Sequence, residues 1–560
     1  MQTIMPPKRK DLLKPKQKGK AKVQEPQTEN DFLDAADEFE QAAGKWRAGD
    51  AVKAARFFNR AIEAYNEGLK RYPQSFDLAY NKANLQFVIT EDERIVSHLG
   101  YFRNKTALLQ ETLNSHRFAS SLKPTNTDIL FNTAQALTSL AEAGLEASTQ
   151  TAAKQDAIPL LEEAVEIFTT CLESQQQQYS QIQEEIARAE ASGEYREGWE
   201  GEQQQPVETQ EEKMETDSET SEAPGDWATV EEPLTPESIL DTCTVQLTAL
   251  TTLLGLYDPR TSLSDIEKRA HVGMNTAMEI IPALIELSDK SPSKSEVDEP
   301  KGGPTLSIGS LSPVEDASTT PREDAILAAA NFEASIAEVQ YRSGRTTSTE
   351  YAQAVEQTFG ILVEEAKTSE TPNLGTANIL SAYGDALMDV ASALVNGKQH
   401  AISSPTFATD IDIQWTALTQ TQTLFTQLSS APYTFILPPS RLANIFIARG
   451  DIDLFRFRIS LFEGAKLAWL KSGPTLVANA GVFYRGARSY ADRAGAAQVR
   501  ATADAKAIVA EILKEVASGS AVIKDSWKGR SVDVAKVLEQ MVEEDVVDGE
   551  NVEGVLKMTQ

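Results

Sequence analysis

Residues 49–61, Gly-Asp-Ala-Val-Lys-Ala-Ala-Arg-Phe-Phe-Asn-Arg-Ala, combine a turn signal with a helical pattern of apolar side chains. The opening Gly-Asp pair lets one helix end and offers a carboxylate to cap the next. Ala54, Phe58 and Ala61 then stand at i, i+4 and i+7, which places them on one helix face. Small side chains allow a neighbouring helix to approach closely, and the aromatic ring fills the groove. The stretch therefore predicts a hairpin of two packed helices.

This hairpin spans helices predicted at residues 32–48 and 51–72, and Pro73 ends the second of them. The same spacing returns at Ala164, Phe168 and Cys171, after a second closing proline at Pro124. Two occurrences of one pattern indicate a repeated unit rather than a single helical domain.

The unit resembles the tetratricopeptide (TPR) repeat, which has a glycine turn, then Ala, an aromatic residue, Ala and a closing proline. Gly49, Ala54, Phe58 and Ala61 match that pattern. Pro73 comes about two turns later than in the family, so the second helix is lengthened here. The resemblance implies stacked helix pairs with a concave surface that binds other proteins.

Apolar residues continue at helical spacing over most of the chain. We therefore predict an all-α, TPR-like helical-repeat solenoid of about seven or eight antiparallel helix pairs, interrupted by disordered loops. One predicted pair has its turn at Gly450-Asp451, between helices at 441–448 and 452–470. A non-repetitive helical bundle is the alternative for the second half.

Composition divides the chain into seven predicted segments. Gly193 to Glu237 holds 15 Asp or Glu against two basic residues, and the stretch after residue 287 is rich in Ser, Pro and Gly. Neither buries enough apolar surface to fold. The segments are a disordered basic arm (1–30), N-terminal repeats (31–192), an acidic disordered insert (193–237), a helical repeat (238–287), a Ser/Pro/Gly linker (288–320), C-terminal repeats (321–520), and a helical segment with an acidic tail (521–560).

The net charge of −30 is a strong constraint on partners. Binding to nucleic acid or to an anionic membrane needs surplus Lys and Arg, so we expect neither, and a basic protein partner suits the charge better. The two cysteines, Cys171 and Cys243, predict no disulfide framework. No stretch of the sequence suggests a membrane span or a secretory signal. We expect the protein in the nucleus and cytoplasm, in an oligomeric state that the sequence does not specify.

Short charged motifs suggest regulation. Lys8, Arg9 and Lys10 follow two prolines and form a candidate nuclear-import signal, a solvated tail being the alternative. Residues 215–222 and 291–294 resemble sites for acid-directed and proline-directed kinases, so the protein is a candidate phosphoprotein.

Motifs for catalysis are missing from the sequence. The four histidines, His98, His116, His271 and His400, show no metal-ligand spacing, and no phosphate-binding loop or nucleophile elbow is present. We predict no catalytic residue, no cofactor and no metal, and thus a protein that is not an enzyme.

Charge and architecture resemble those of dedicated ribosomal-protein chaperones with TPR scaffolds, and of nuclear histone chaperones whose TPR array carries an acidic insertion. The resemblance implies an adaptor or chaperone that shields a basic client, with a role such as ribosome biogenesis. In the histone chaperones the insertion interrupts a repeat, whereas here it lies between predicted repeats.

Two alternatives remain. One is an Hsp70 or Hsp90 co-chaperone, whose carboxylate clamp needs Lys, Asn and Arg at defined positions. Only Asn81 fits among the matching positions, which are Phe39, Ala43, Asn81, Asp128 and Asn132. The other is a scaffold subunit of a translation or nuclear regulatory complex, because residues 56–75 resemble the fungal translation-termination enhancer family, which also begins with a basic arm.

Candidate partner contacts lie on the first helix of each pair, which lines the concave face in TPR arrays. They are Tyr80, Asn81, Asn84, Asp128 and Asn132. Alternatively, Tyr80 packs between repeats, and Asn81 and Asn132 satisfy neighbouring backbone groups.

The segment from Arg441 to Arg500 is locally basic, with ten Lys or Arg against four Asp or Glu. We predict that it docks the acidic insert. The alternative is that its arginines pair locally or cover apolar helix faces.

Overall fold

The computed structural model describes residues 26–100, 104–147, 151–192, 234–290, 319–367, 372–395, 403–518 and 524–559. These residues form twenty α-helices, one π-helical turn and two short 3₁₀ turns, with no β-strand among them. The chain divides into two compact units, residues 1–143 and 144–560. The all-α prediction is confirmed.

The first unit contains five helices and most of a sixth. They are α1 (Glu29–Arg47), α2 (Ala51–Arg71), α3 (Phe76–Thr90), α4 (Glu93–Val96), α5 (Lys105–Leu122) and α6 (Thr127–Ala147).

The predicted hairpin is the pair α1 and α2. Asp50 caps α2 by accepting a hydrogen bond from the backbone N–H of Lys53. Ala54, Phe58 and Ala61 are all buried, as their spacing predicts. The Tyr65 hydroxyl donates to Glu40 across the interface at 2.6 Å, which ties the two antiparallel helices together.

Helices α3 and α5 form the next antiparallel pair. Lys123, after the end of α5, lies over the ring of Phe76 at the start of α3, 4.3 Å from its centroid. Helix α3 also contacts α1, and Asn132 of α6 donates to Asn84 of α3. The first helices of the pairs therefore lie side by side in one row.

The second unit contains the remaining helices. They are α7 (Thr151–Ser192), α8 (Pro236–Leu256), α9 (Leu263–Asn275), α10 (Ile281–Lys290), α11 (Pro321–Arg342), α12 (Ser348–Ala366), α13 (Leu374–Val395), α14 (Phe407–Leu428), α15 (Tyr433–Ile436), α16 (Pro439–Ser460), α17 (Leu467–Ala494), α18 (Ala497–Ala517), α19 (Ser531–Glu543) and α20 (Val552–Lys557). The π-helical turn Thr276–Ile280 joins α9 to α10.

Alternate helices of this unit also form a row. Helix α8 contacts α11, which contacts α13, and α16 contacts α18. Arg441 of α16 completes the row by donating to Asn378 and Ser381 of α13 at 2.6 and 2.9 Å. Between these helices in the sequence lie α12, α14 and α17. Each of them packs against the two helices of the row that flank it. Such a two-layered succession of helix pairs is a helical-repeat array, as predicted.

The predicted turn at Gly450-Asp451 is wrong, because α16 runs unbroken through both residues. A Cβ on Gly450 would come within 2.4 Å of the Tyr484 ring, so the glycine allows close packing instead of a turn. Asp451 is buried, accepts from the Tyr484 hydroxyl at 2.7 Å and pairs with Lys506 at 2.9 Å. The predicted pair 441–448 and 452–470 is therefore one helix and the start of the next.

Within the described residues, α8 is long and apolar enough to cross a membrane by length and composition. The sequence-based expectation that no segment meets this test is corrected accordingly. Over half of the apolar window is buried (56%), and the helix packs against α7 and α11. That burial is typical of a core helix.

The Gly450–Tyr484 contact yields a stability prediction. We expect Gly450→Ala to lower the free energy of unfolding by about 1–3 kcal/mol, because the new methyl group overpacks the interface of α16 and α17. Gly360 is the matched control, since it lies inside α12 with no atom near its missing Cβ. Gly360→Ala should instead raise stability by about 0.5–1 kcal/mol through helix propensity. Denaturant unfolding of both variants checks this, and equal effects at the two sites would contradict the packing role.

Candidate protein-binding surfaces

The structure brings predicted contact residues of α3 and α6 together in the first unit. The Asn132 side-chain amide donates to the Tyr80 hydroxyl at 3.4 Å and to the side-chain oxygen (Oδ1) of Asn84 at 3.0 Å. Asp128 lies on the first turn of α6 and is exposed. Two helices that are adjacent in the row thus present one polar surface, which we call the α3–α6 surface.

Tyr80 is the centre of this surface. Its ring stacks on Phe76 with the centroids 5.4 Å apart. Burial raises the pKa of the Tyr80 hydroxyl, and the Asp128 carboxylate raises it further, against hydrogen bonds to Asn84 and Asn132 that lower it. The hydroxyl therefore stays protonated and can donate a hydrogen bond.

The five predicted contact residues differ in solvent exposure. Asn84 is buried at 8% exposure. Asn81 donates to the carbonyl of Asp77, one turn earlier in its own helix, at 2.8 Å. Asn81 therefore satisfies a backbone group, as the alternative interpretation proposes, whereas Asn84 supports the contact between α3 and α6. Asp128 is exposed, and Tyr80, Asn81 and Asn132 are partly exposed.

A second surface, which the sequence did not indicate, lies on α11 and α13 in the second unit. Glu338 of α11 and Asp385 and Asp389 of α13 interact electrostatically, since the first and second carboxylates each raise the pKa of the third. We call these three residues the acidic face. Burial is nevertheless the largest cause, and the pKa of Asp389 rises to about 7 and that of Asp385 to about 6.

Two members of the acidic face reach solvent. Asp385 and Asp389 are open to water, yet protein atoms surround them closely enough to disfavour their charged forms. A ligand can therefore reach both carboxyl groups from solvent.

Cations border the acidic face without filling it. Arg342 pairs with Glu338 at 3.5 Å. Arg441 lowers the pKa of Asp385 by its charge, but its guanidinium hydrogen bonds go to Asn378, Ser381 and the carbonyl of Ala377. Asp389 has two carboxylate neighbours and is the member that most favours an added cation.

The arginines of the basic C-terminal segment mostly pair close by. The pairs join Arg456 to Asp453, Arg458 to Asp545, Arg485 to Glu511, Arg488 to Asp504 and Arg500 to Asp492. Arg449 and Arg456 also lie over the rings of Phe483 and Trp415. This is the local pairing of the alternative interpretation, whereas the acidic insert itself lies largely outside the described residues.

A recess of about 530 Å³ opens between α12, α13 and α14. Its walls include the rings of Tyr383 and Tyr433, and Glu356 adds a carboxylate. The amide of Gln420 donates to the Tyr383 hydroxyl at 2.6 Å and fixes the ring. The recess can accept an apolar side chain that carries a cationic end.

Two titratable groups elsewhere are buried in the protein interior, and burial shifts their pKa values. The pKa of His116 is lowered to about 4 by burial, and its Nδ1 lies 3.0 Å from the carbonyl oxygen of Thr112. Burial raises the pKa of the Cys243 thiol to about 12. Among the described residues, no group of three or more His, Cys, Asp or Glu could hold a metal ion. Lys8, Arg9 and Lys10 lie outside the described residues.

Comparison with curated proteins gives one partial similarity. The chain is 28% identical over 191 residues to UPF0656 protein C926.02 from Schizosaccharomyces pombe (strain 972 / ATCC 24843). The match covers 32% of this chain and 42% of that relative, so the chain spans less than half of the relative's length. No protein-family profile matches the chain.

Comparison with solved structures adds a distant similarity. The structure described as "Circular tandem repeat protein with novel repeat topology and enhanced subunit contact surfaces" covers 95% of this chain and 97% of its own. The TM-score is 0.28 and the identity is 12%. At that score the similarity does not establish a common fold.

The raised pKa of Asp389 predicts a pH dependence of stability. Its ordinary pKa is 3.8, so from about pH 4 to 7 the folded protein holds a proton that the unfolded chain has released. Stability from this group is therefore lost as pH rises through that window. We expect Asp389→Asn to be more stable than the wild type at about pH 8 and no more stable at about pH 4.

Denaturant unfolding at both pH values measures this difference. Asp34→Asn, on the exposed side of α1, is the control, and it should not reproduce the gain. An unchanged stability of Asp389→Asn at the higher pH would contradict the proposed surroundings of the carboxyl.

Proposed function

We propose that this protein is a non-enzymatic, TPR-type scaffold that binds basic segments of a partner protein, as an adaptor or dedicated chaperone. The observation that carries the proposal is the acidic face, where three carboxylates of adjacent helices lie within electrostatic reach of one another on a water-accessible surface. A client of the ribosomal-protein or histone type has the lysines and arginines that such a surface would recognise.

Electrostatics supports the binding of a basic partner. The folded protein maintains Asp385 and Asp389 at a cost, because their surroundings disfavour the charged forms. A bound Lys or Arg would relieve that cost by favouring the charged forms of both groups. The net charge of −30 would also attract a basic chain from a distance and speed its association.

The α3–α6 surface suits a complementary role. Tyr80 and Asn132 can donate and accept hydrogen bonds, while Asp128 adds a carboxylate. These groups can hold the backbone of an extended or helical segment in register. The co-chaperone alternative gains nothing here, since Ala43 of the clamp positions is fully buried.

Purification of the native full-length protein with its partners tests the proposal. We expect a stoichiometric basic protein that dissociates as salt is raised. The double variant Asp385→Asn/Asp389→Asn should release it at lower salt, because it removes charge from the acidic face. Asp34→Asn/Glu38→Gln changes the net charge equally, on the exposed side of α1, and should retain wild-type behaviour.

Other outcomes would redirect the function. Equal release by both double variants would contradict a specific role for the acidic face. Recovery of Hsp70 or Hsp90 would support the co-chaperone alternative, and a salt-resistant multi-subunit complex would support the scaffold of a translation or nuclear assembly.

The import motif gives a separate prediction. We expect Lys8, Arg9 and Lys10 replaced together by Ala to move a fluorescently tagged protein from the nucleus to the cytoplasm, because an import receptor reads clustered positive charge. Lys16, Lys18 and Lys20 replaced by Ala provide a control in the same arm. An unchanged distribution of the first variant under the microscope would rule the motif out.

A further inference from the structure

Helix α2 carries a row of cations on its solvent side. Lys53, Arg56 and Arg60 stand at i, i+3 and i+7, so they share one helix face. We call these three residues the α2 cationic stripe. Arg56 and Arg60 are exposed, and Phe57 lies partly buried between them.

Aromatic rings of α1 hold the ends of the stripe. The Lys53 ammonium lies 3.1 Å from the ring centroid of Trp46, and the Arg60 guanidinium lies 5.7 Å from that of Phe39. Trp46 itself is 40% exposed. Cation–π contacts of this kind restrict long side chains, which lowers the entropy cost of binding a ligand to them.

The three cations of the stripe have no ion-pair partner in the part of the chain that the structure describes. Neighbouring cations do, because Lys70 pairs with Glu67 at 2.5 Å, and Arg47 and Arg94 both pair with Asp92 at 3.7 and 2.9 Å. Lys53, Arg56 and Arg60 form no ion pair with a described residue. Three unpaired cations on one face are unusual in a chain of net charge −30.

The surface around the stripe is shaped as well as charged. Lys53, Arg56, Phe57 and Arg60 line a shallow recess of about 450 Å³, together with Asn59 and Glu63. The ring of Phe57 offers an apolar floor. Glu63 at the far end would repel a carboxylate there, so the attractive part runs from Lys53 to Arg60.

We propose that the α2 cationic stripe is a docking site for an acidic segment of a partner protein. Carboxylates of that segment would pair with Arg56, Arg60 and Lys53, and one of its apolar side chains would lie on Phe57. The stripe is about 10 Å long at 1.5 Å per residue, which matches three to four extended residues or two helical turns. This site lies on α2, away from the row that carries the α3–α6 surface.

A protein segment fits better than nucleic acid. Three cations provide few phosphate contacts, and the remaining charge of the chain repels a polyanion. The apolar floor at Phe57 adds a preference for peptides with one aromatic or aliphatic residue.

Fluorescence anisotropy with the full-length protein tests this proposal. The probe is a short labelled Glu-rich peptide with a central Phe, and we expect salt-sensitive binding. Arg56→Glu/Arg60→Glu should weaken it by about tenfold or more, since both pairing groups are reversed. Lys70→Glu/Lys154→Glu changes the net charge by the same amount at exposed positions and should weaken it much less.

Further arms separate the explanations. Arg56→Gln/Arg60→Gln repeats the test with little disturbance of the helix, and circular dichroism checks that each variant is folded. Asp385→Asn/Asp389→Asn should leave peptide binding intact, which distinguishes this site from the proposed function. No binding to the wild type, equal loss in both charge-reversal variants, or equally strong binding of a single-stranded oligonucleotide would overturn the proposal.

Discussion

Close contact between glycine and an aromatic ring is the interaction on which the spacing of the second unit depends. Gly273 lies against Phe332, Gly384 against Phe425 and Gly450 against Tyr484, each so close that a Cβ would fall within 2.4 Å of the ring. A glycine removes the side chain that would keep the backbones apart, and the ring fills the space that remains. The contacts join α9 to α11, α13 to α14 and α16 to α17, and they set how closely the helices of each pair approach.

The close spacing of the helices determines which residues share a surface. When consecutive helices pack tightly as antiparallel pairs, alternate helices become neighbours, as α11 and α13 do. Residues far apart in sequence then share one face, and the carboxylates of Glu338 and Asp389 come within electrostatic reach. The acidic face is thus a product of the helix row, in the same way as the contact of Tyr80 with Asn132 across α3 and α6.

This dependence explains what the sequence could and could not predict. The Ala54, Phe58 and Ala61 pattern and the Asp50 cap are local signals, and both the hairpin and its turn follow from them. Gly450-Asp451 has the same letters as the turn at Gly49-Asp50, yet its role depends on a ring 34 positions later in the chain, which local reasoning does not include. Asp385 and Asp389 are visibly one turn apart, but the contribution of Glu338 requires knowing that α11 and α13 are adjacent.

Charge placement follows the same physical principle with opposite signs on different helices. On α13 the protein keeps carboxylates where their surroundings disfavour ionisation, so a cationic ligand gains from restoring their preferred state. On α2 it keeps Lys53 and Arg60 beside aromatic rings without ion-pair partners, so an anionic ligand would gain in the corresponding way. Stability alone would favour pairing such groups internally, as the chain does for most arginines between Arg456 and Arg500. We therefore propose that these charges serve binding.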